Sequence, residues 1–495
     1  MTTRLPRFSS LTLRATRVFV HFVLPGLLLT ALTRHLSPFF GRASAVIAVG
    51  FLLRWWYRRR AARPLYDLLS GLLPFVVAVA YVDVVWHLYN VGRMQVYADT
   101  LHGYLPLSGM SLLDSSFWLF GVKPFVTPVI LKICGGDMAV VNDFFVGSYL
   151  LVTLFFLSTL FFLFRDRTEK LLAFYLFVLL FLNQSMIGVW LTIAQSETPA
   201  IVATILMIAT YAYGYGCRDV WSRDGWRAKA FLGLVVVSTV LFSFSRDTNL
   251  YFLPVLAVFY LLVFHTRRER MLVTCGIAAI FFLHSWTMER SGRWKFSLAN
   301  VLFQRVIPDE ELRSLFQERF ALPEDDLVMP AANHWASEEF ENKEILFDPD
   351  GDGADWVSRH GLSAYKRFLL THPRFAISEW YGAWNAYNAN FYRGSLRPGR
   401  RYRLHPILHS FPGHISFLGA TLVFVCGVLF LQDNPLLSLT ALHAFIIGLV
   451  AYHGDAMEVE RHLQQAAMTL RFSYLLLLPH LYGAIRSHIE TEVAA

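Results

Sequence analysis

Apolar runs separated by short polar stretches repeat along the 495-residue chain. Backbone groups have no water to bond within lipid, so runs of about 20 residues, the length that crosses a ~30 Å hydrocarbon core, must be helices. We count about twelve such runs, at residues 18–33, 43–57, 66–86, 143–164, 171–191, 199–216, 230–244, 250–265, 271–288, 413–431, 435–453 and 463–485. The run at 43–57 is short enough to be re-entrant. The pattern predicts an all-α polytopic membrane protein of about 12 transmembrane helices.

Two long polar segments interrupt the apolar runs, at residues 87–140 and 289–411. The second has the length of a small domain and contains several helix-like stretches. We therefore expect four units along the chain. They are a tail with two accessory helices (1–64), a transmembrane core with a first outer loop at 87–140 (65–288), a polar α-rich domain (289–411), and the last helices with a short tail (412–495).

Basic residues predict the orientation. The chain is 55% hydrophobic and only 16% charged, whereas soluble domains are about 25% charged. With the N-terminus in the cytoplasm, the segments on that side hold about 20 Lys and Arg and the short loops opposite hold about 7. Both termini are then cytoplasmic, and 87–140 and 289–411 are outside. The net charge of +8 is mostly this asymmetry, and no folded basic face indicates nucleic-acid binding.

Ionisable side chains fill the short loops that this topology places outside. Such groups are costly at a membrane face, so each is a candidate for function; the alternative is a solvated turn with helix caps. Arginine binds phosphate through a planar fork, and a carboxylate can take a proton from an attacking hydroxyl. The mixture suits a reaction on a phosphorylated lipid. The loops contain Asp99, Glu197, Arg246, Asp247, Asp455, Glu458, Arg461 and His462.

Three short motifs carry a resemblance to a known family. They are Asp99-Thr-Leu-His-Gly-Tyr104 followed by the basic and proline-containing stretch 120–132 with Lys123, then Thr371-His-Pro-Arg374, then Asp455, Glu458, Arg461 and His462 in an Asp-x-x-Glu-x-x-Arg-His pattern. Through these residues the chain, from 65 to 485, resembles the GT-C superfamily of polytopic glycosyltransferases. The first two helices are an addition to that pattern.

The resemblance implies a GT-C-like fold and an inverting sugar transfer from a polyprenyl-phosphate donor. The acceptor would be a hydroxyl of a glycan, lipid or protein, on the periplasmic or extracellular side of the plasma (inner) membrane. Asp99 would be the general base, with Asp455 and Glu458 as further catalytic carboxylates. Asp83 competes with Asp99, because the family's aspartate often sits at the end of the first core helix. The substrate-binding residues would be Tyr104, Lys123, Glu197, Arg246, Asp247, Arg461, His462 and Arg471.

Several other features leave two interpretations open. Asp348, Asp350 and Asp352 have the spacing that opens a calcium loop, but Arg359 stands where a bidentate Glu belongs. This segment is a polar turn or a divalent cation site for Ca²⁺ or Mg²⁺; no cofactor is otherwise indicated. Arg471, inside the last helix, forms a structural ion pair or faces a wet cavity. His284 and His443 are expected to be packing residues.

Aromatic residues recur at helical spacing within the polar domain. The set is Trp380, Trp384, Tyr387 and Phe391. It predicts either a helix that uses this face as core or an interfacial helix with its rings at headgroup level.

Three other functions compete with sugar transfer. A polymerase or ligase of lipid-linked glycans shares the substrate class. A 12-helix secondary transporter would show two similar halves and a site at mid-membrane, and no half-to-half similarity is visible. A non-catalytic membrane scaffold would tolerate the loss of Asp99.

Overall fold

The computed structural model describes residues 13, 16–33, 63–92, 94–97, 99–114, 117, 124–221, 225–323, 352–388, 411–456 and 459–494. The α-helices, in chain order, are α1 (Leu24–Thr33), α2 (Arg63–Tyr89), α3 (Leu105–Gly109), α4 (Val126–Ile133), α5 (Met138–Leu163), α6 (Arg167–Phe181), α7 (Glu197–Gly216), α8 (Arg218–Trp221), α9 (Gly225–Ser245), α10 (Leu253–Val263), α11 (Arg267–Ser291), α12 (Arg293–Val301), α13 (Glu310–Phe320), α14 (Asp352–Trp356), α15 (Leu362–Thr371), α16 (Pro373–Gly382), α17 (Phe417–Leu429), α18 (Pro435–Gly454), α19 (Val459–His462) and α20 (Gln464–Ala494).

Single helical turns of other pitch connect these helices. They lie at Phe19–Val23, Asp99–Tyr104, Gln184–Gly188, Trp190–Thr192, Asp247–Phe252, Leu302–Val306, Val357–Gly361 and Trp384–Asn388. Within the described ranges there is no β-strand, and one isolated extended pairing joins Gln95 to Ile193. The prediction of an all-helical chain is confirmed for these residues.

Six described helices are long and apolar enough to cross a membrane. They are Gly71–Tyr89 within α2, and α5, α7, α9, α11 and α18. A seventh span results if α6 and the turns at Gln184–Thr192, which meet at a 48° bend, are counted as one. The chain therefore has the features of a membrane-embedded helical protein. Six or seven spans replace the predicted twelve within the described residues.

The remaining predicted runs explain the difference in number. The run 43–57 lies outside the described residues. The runs at 18–33, 250–265 and 413–431 form shorter apolar helices, at Thr16–Leu29, Asp247–Val263 and Phe417–Leu429. The run at 463–485 lies in α20, which is long but is not among the six spans.

Helix α20 packs along α18 and α6, and its buried face is partly polar. Gln465 donates from Nε2 to Oγ1 of Thr204 at 2.8 Å. Oγ1 of Thr469 lies 3.0 Å from Nδ1 of the buried His443. Buried polar groups favour hydrogen bonds in an apolar interior, and these two contacts join α20 to α7 and α18. His443 thus packs in the core, as predicted.

Side-chain caps fix where several helices begin. Asp137 accepts a hydrogen bond from the backbone N–H of Ala139 at the start of α5. Thr266 and Glu269 form a reciprocal capping box at the start of α11. These caps place the polar loops at defined positions at the ends of the spans.

We call the described residues 292–323 and 352–388 the polar segment. Its helices α12 to α15 enclose a core of their own that contains Phe316, Trp356 and Phe368. The aromatic residues after this core behave differently. Trp380, Trp384 and Tyr387 are buried in the main core of the bundle, where Trp384 packs edge-on against Phe417 with ring centroids 5.1 Å apart. This face is therefore core, and Phe391 lies outside the described residues.

A cluster of charges joins α20 to the loop between α5 and α6. Arg486 forms ion pairs with Asp166 and, at 3.6 Å, with Glu169. Arg17 pairs with Glu490 at 3.5 Å. Gln464, the first residue of α20, and Arg486 are 22 positions apart, or about 33 Å along the helix. The charges around Arg486 therefore lie at the opposite end of the bundle from the start of α20 and the neighbouring loop with Arg461.

Candidate active site

Four loops that are far apart in the sequence meet at one end of the bundle. Asp99 starts the turn that follows α2, and Glu197 is the first residue of α7. Arg246 directly follows α9, and Arg461 lies in the short helix α19 between α18 and α20. The ends of antiparallel helices bring these side chains together.

These four residues, with Asp455 and His462, form what we call the cluster. Glu197 lies at its centre and is 2% exposed. Its Oε1 accepts a hydrogen bond from Nη2 of Arg246 at 2.8 Å. Nε of Arg461 lies 3.2 Å from the same oxygen. Oε2 of Glu197 is buried and has no hydrogen-bond partner among the described residues. One buried carboxylate thus faces two guanidinium groups.

Arg461 links Glu197 to Asp99. Its Nη1 lies 3.3 Å from Oδ2 of Asp99, and 13% of the Arg461 side chain and 29% of the Asp99 side chain are exposed. Arg246 is more enclosed and faces the carbonyl oxygens of Arg461 and His462 at 3.4 Å each. Arg461 and Asp99 are therefore the members of this network that a ligand could reach.

The turn at Asp99 is fastened to the loop before α7. The backbone N–H of Gln95 donates to the carbonyl of Thr192 at 2.9 Å, and the N–H of Ala194 donates back to Gln95 at 3.0 Å. The hydroxyl of Thr100 donates to the carbonyl of Ala194. These bonds hold Asp99 beside Glu197.

Asp455 approaches the network from the other side. Its Oδ2 lies 3.8 Å from Nε2 of His462, and His462 Nδ1 is 3.4 Å from Nη2 of Arg246. Ser297 and Asn300, both on α12, donate to the two carboxylate oxygens at 3.0 and 3.1 Å. Sequence reasoning missed both residues, since nothing local connects α12 to a loop more than 150 positions away.

Asp247 takes part in a separate chain of hydrogen bonds. Its Oδ1 lies 3.2 Å from Nε2 of His284, and Nδ1 of His284 lies 2.8 Å from Oγ of Ser243. The order of Ser, His and Asp matches that of a hydrolytic triad. Ser243 and His284 are both 0% exposed, so no substrate reaches the hydroxyl. The chain fastens the end of α9 to α11, and His284 is a hydrogen-bonded packing residue.

Two other predicted binding residues are buried in packing environments. Tyr104 is 3% exposed and belongs to a small apolar cluster with Met94 and Leu131. Arg471 is 6% exposed and donates to the carbonyl oxygens of Ala467 and Tyr387 at 3.0 and 3.3 Å. In the described chain the partners of Arg471 are carbonyl and amide oxygens, so the structural ion pair expected as one alternative is not formed there.

Other predicted site residues are not placed. Lys123, Glu458, Asp348 and Asp350 lie outside the described residues. Asp352 begins α14. Asp83, the alternative base, lies within α2 and pairs locally with His87 at 3.2 Å.

The described residues do not form a metal site. No group of three or more His, Cys, Asp or Glu side chains among them is arranged to hold an ion. In the cluster, Glu197 and Asp99 face arginines instead. A shallow depression on the polar segment, lined by Thr371–Phe375 and Ser378, shares no residue with the cluster. The described members of the cluster supply carboxylates, guanidiniums and one imidazole.

The described members of the cluster are close to electrical neutrality. Asp99, Glu197 and Asp455 carry three negative charges against two positive charges on Arg246 and Arg461. Protonation of His462 would make the sum zero. An anionic ligand would therefore have to compete with Asp99 or Glu197 for one of the two guanidinium groups.

The comparisons with known proteins give no relative. The chain matches no family model, and no characterised protein and no solved structure is significantly similar to it.

Proposed function

We propose that this protein is a GT-C-like membrane glycosyltransferase that moves a sugar from a polyprenyl-phosphate donor to an acceptor hydroxyl. The observation that carries the proposal is the position of Arg461, whose guanidinium lies within 3.3 Å of both Asp99 and the buried Glu197. An arginine at the end of a helical bundle, beside a carboxylate that is also partly exposed, suits a lipid phosphate and a proton acceptor.

The proposed reaction assigns a separate task to each group. The acceptor oxygen attacks the anomeric carbon, Asp99 accepts the hydroxyl proton, and the bond from that carbon to the phosphate oxygen breaks with inversion. The phosphate leaves with the electron pair and its charge is stabilised by Arg461. Glu197 and Arg246 hold Arg461 in place.

Exchange of partners on Arg461 follows from the charge of the cluster. Arg461 faces Asp99 at 3.3 Å, a long distance for a charged hydrogen bond. The donor phosphate would compete for the same guanidinium and release Asp99 to accept a proton. Asp455 and His462 would act around the leaving phosphate.

We also propose the orientation and a fuller membrane bundle. The cluster end would face the periplasmic or extracellular side of the plasma membrane, since the loops of the opposite end hold most of the Lys and Arg. The shorter apolar helices, together with α20, would be embedded beside the six spans and bring the total toward twelve. Glycan, lipid or protein acceptors would approach through the polar segment.

The position of the cluster favours transfer over transport. A secondary transporter binds its substrate near mid-membrane, between repeats, whereas Asp99, Glu197 and Arg246 lie at the ends of helices. A polymerase or ligase of lipid-linked glycans would use the same groups, and the donor accepted in an assay separates the two activities.

The test is a transfer assay on purified protein in nanodiscs with a panel of labelled polyprenyl-phosphate monosaccharides. Asp99→Asn preserves size and hydrogen bonding but cannot take up the proton, so turnover should fall by roughly 10²–10⁴. Asp83→Asn is the matched variant, because Asp83 lies in α2 and pairs with His87. Full activity of Asp99→Asn with the donor that the wild type uses would remove the proposed base. If Asp83→Asn lost activity while Asp99→Asn did not, Asp83 would be the general base.

A further inference from the structure

The polar segment contacts the end of α18 and the start of the stretch between α18 and α20, which holds Asp455, Arg461 and His462 and which we call the site loop. Arg305 donates from Nη1 to the carbonyl of Tyr452 at 2.7 Å, and its guanidinium carbon lies 4.0 Å from the centroid of the Tyr452 ring. The hydroxyl of Tyr365 lies 3.2 Å from Nδ1 of His453. Burial raises the pKa of Tyr365 well above its ordinary value, so this hydroxyl stays protonated.

The polar segment also contacts Asp455 and the next residue, Ala456. Asn300, which is 0% exposed, donates to Oδ1 of Asp455, and Ser297 donates to Oδ2. Ala456 packs against the core of the polar segment. Both oxygens of one carboxylate are therefore oriented by donors from a single helix, α12.

The orientation of Asp455 matters because of what its carboxylate faces. Oδ2 is directed to His462 at 3.8 Å, and His462 in turn approaches Arg246. Arg461 is held separately, by Glu197 and Asp99. The site loop thus has two anchorages, one in the bundle and one in the polar segment.

We propose that Asn300 and Ser297 are positioning residues that aim Asp455 at His462, so that the polar segment sets the geometry of the catalytic loop. This inference rests on the proposed transferase function for its kinetic consequence. It assigns to α12 a role in turnover that is separate from acceptor binding.

The kinetic test uses Asn300→Ala and Ser297→Ala, each alone and in an Asp455→Asn background. We expect kcat to fall roughly tenfold to a hundredfold, the range that a small misplacement of a reacting group costs. KM for the lipid donor should change less than about threefold, because Arg461 keeps its own partners. In the Asp455→Asn background the same changes should have little further effect, since residues that act through one another are not additive.

Two variants separate positioning from folding. Ser297→Thr keeps the hydroxyl and should retain more activity than Ser297→Ala. Ser378→Ala removes a serine of the same segment whose partner among the described residues is local, the carbonyl of Phe375 at 3.1 Å, and this variant should match the wild type. Additive losses in the double variants, or a donor KM that rises together with the fall in kcat, would overturn the proposal.

A second readout does not depend on activity. Amide hydrogen exchange of residues 452–463 should become faster in Asn300→Ala, while exchange in α13 (Glu310–Phe320) stays unchanged. If the wild type transfers no sugar from any lipid donor, the proposed function fails and this exchange measurement still decides the inference. Unchanged exchange at 452–463 would show that Asn300 does not hold the loop.

Discussion

Nη2 of Arg246 lies 2.8 Å from Oε1 of Glu197, and only 8% and 1% of the two side chains are exposed. Taking two charges out of water costs several kcal/mol per ion, which the pair recovers only with good geometry and further partners. Nε of Arg461, 3.2 Å from the same oxygen, supplies a further partner. Glu197 was expected to bind substrate; its burial between two arginines assigns it first to holding the cluster together.

Removing the Glu197 carboxylate should therefore destabilise the fold. Glu197→Ala leaves two guanidiniums without their shared partner, and breaking a buried pair costs about 3–5 kcal/mol. Thermal unfolding in detergent, followed by intrinsic fluorescence, should show a lower apparent midpoint for Glu197→Ala than for Glu197→Gln.

An exposed ion pair provides the control for this measurement. Arg359 pairs with Asp355 at 2.7 Å, and 72% and 44% of these side chains are exposed. Arg359→Ala should cost less than about 1 kcal/mol. If Glu197→Ala shifted the midpoint no more than Arg359→Ala, the buried network would not contribute to stability.

Arg461 should bind lipid phosphate through the paired N–H donors of its planar guanidinium, not through charge alone. A charged hydrogen bond contributes about 1.5–3 kcal/mol, so Arg461→Ala should weaken binding of polyprenyl phosphate roughly tenfold to a hundredfold. Arg461→Lys keeps the charge but loses the planar pair of donors, and should still bind about tenfold more weakly. Titration calorimetry in detergent measures both constants.

The exposed Arg374, beside the shallow depression on the polar segment, serves as the matched arginine. Arg374→Ala should bind polyprenyl phosphate as the wild type does. Equal weakening in Arg374→Ala and Arg461→Ala would mean that the lipid phosphate is attracted by general surface charge.

The sequence predicts that the four loops meet, because successive helices run in alternating directions. Each apolar run reverses the chain, so the loops with Asp99, Glu197, Arg246 and Arg461 fall at one end. Which atoms pair does not follow, because Glu197 and Arg246 are 49 positions apart and no periodic pattern encodes their contact. His284 illustrates the same limit, since its hydrogen bonds to Ser243 and Asp247 depend on the packing of α9 against α11.

The number of spans was predicted less well for a related reason. Hydropathy marks apolar runs, but a span also needs length. The runs at 250–265 and 413–431 form helices of only 11 and 13 α-helical residues. In α20 the buried residues Gln465 and Thr469 each form a hydrogen bond to a side chain on a neighbouring helix, so burial there does not require an apolar sequence.

The orientation predicts where a reporter in the polar segment will be active. A reporter inserted after Gln317, in α13, should score as non-cytoplasmic, and one fused at the C-terminus should score as cytoplasmic. A pair of alkaline phosphatase and green fluorescent protein fusions at each position measures this. A cytoplasmic result at Gln317 would place the cluster on the wrong side for a donor presented outside.

Acid should weaken the opposite end of the bundle through Asp166. Burial raises the pKa of this carboxyl, but the backbone N–H of Thr168 and the guanidinium of Arg486 lower it more, and the net pKa lies below its ordinary value of 3.8. A carboxyl with a depressed folded-state pKa contributes stability at pH values above its unfolded pKa of about 3.9, and that contribution is lost as the pH falls through the lower folded value. The wild type should therefore lose apparent thermal stability as the pH is lowered through 4, whereas Asp166→Asn should be less stable at pH 7 and lose less on acidification. Melting curves of the two proteins between pH 7 and pH 3 measure the difference. Parallel curves would show that the pairing of Asp166 with Arg486 does not couple α20 to the α5–α6 loop in solution.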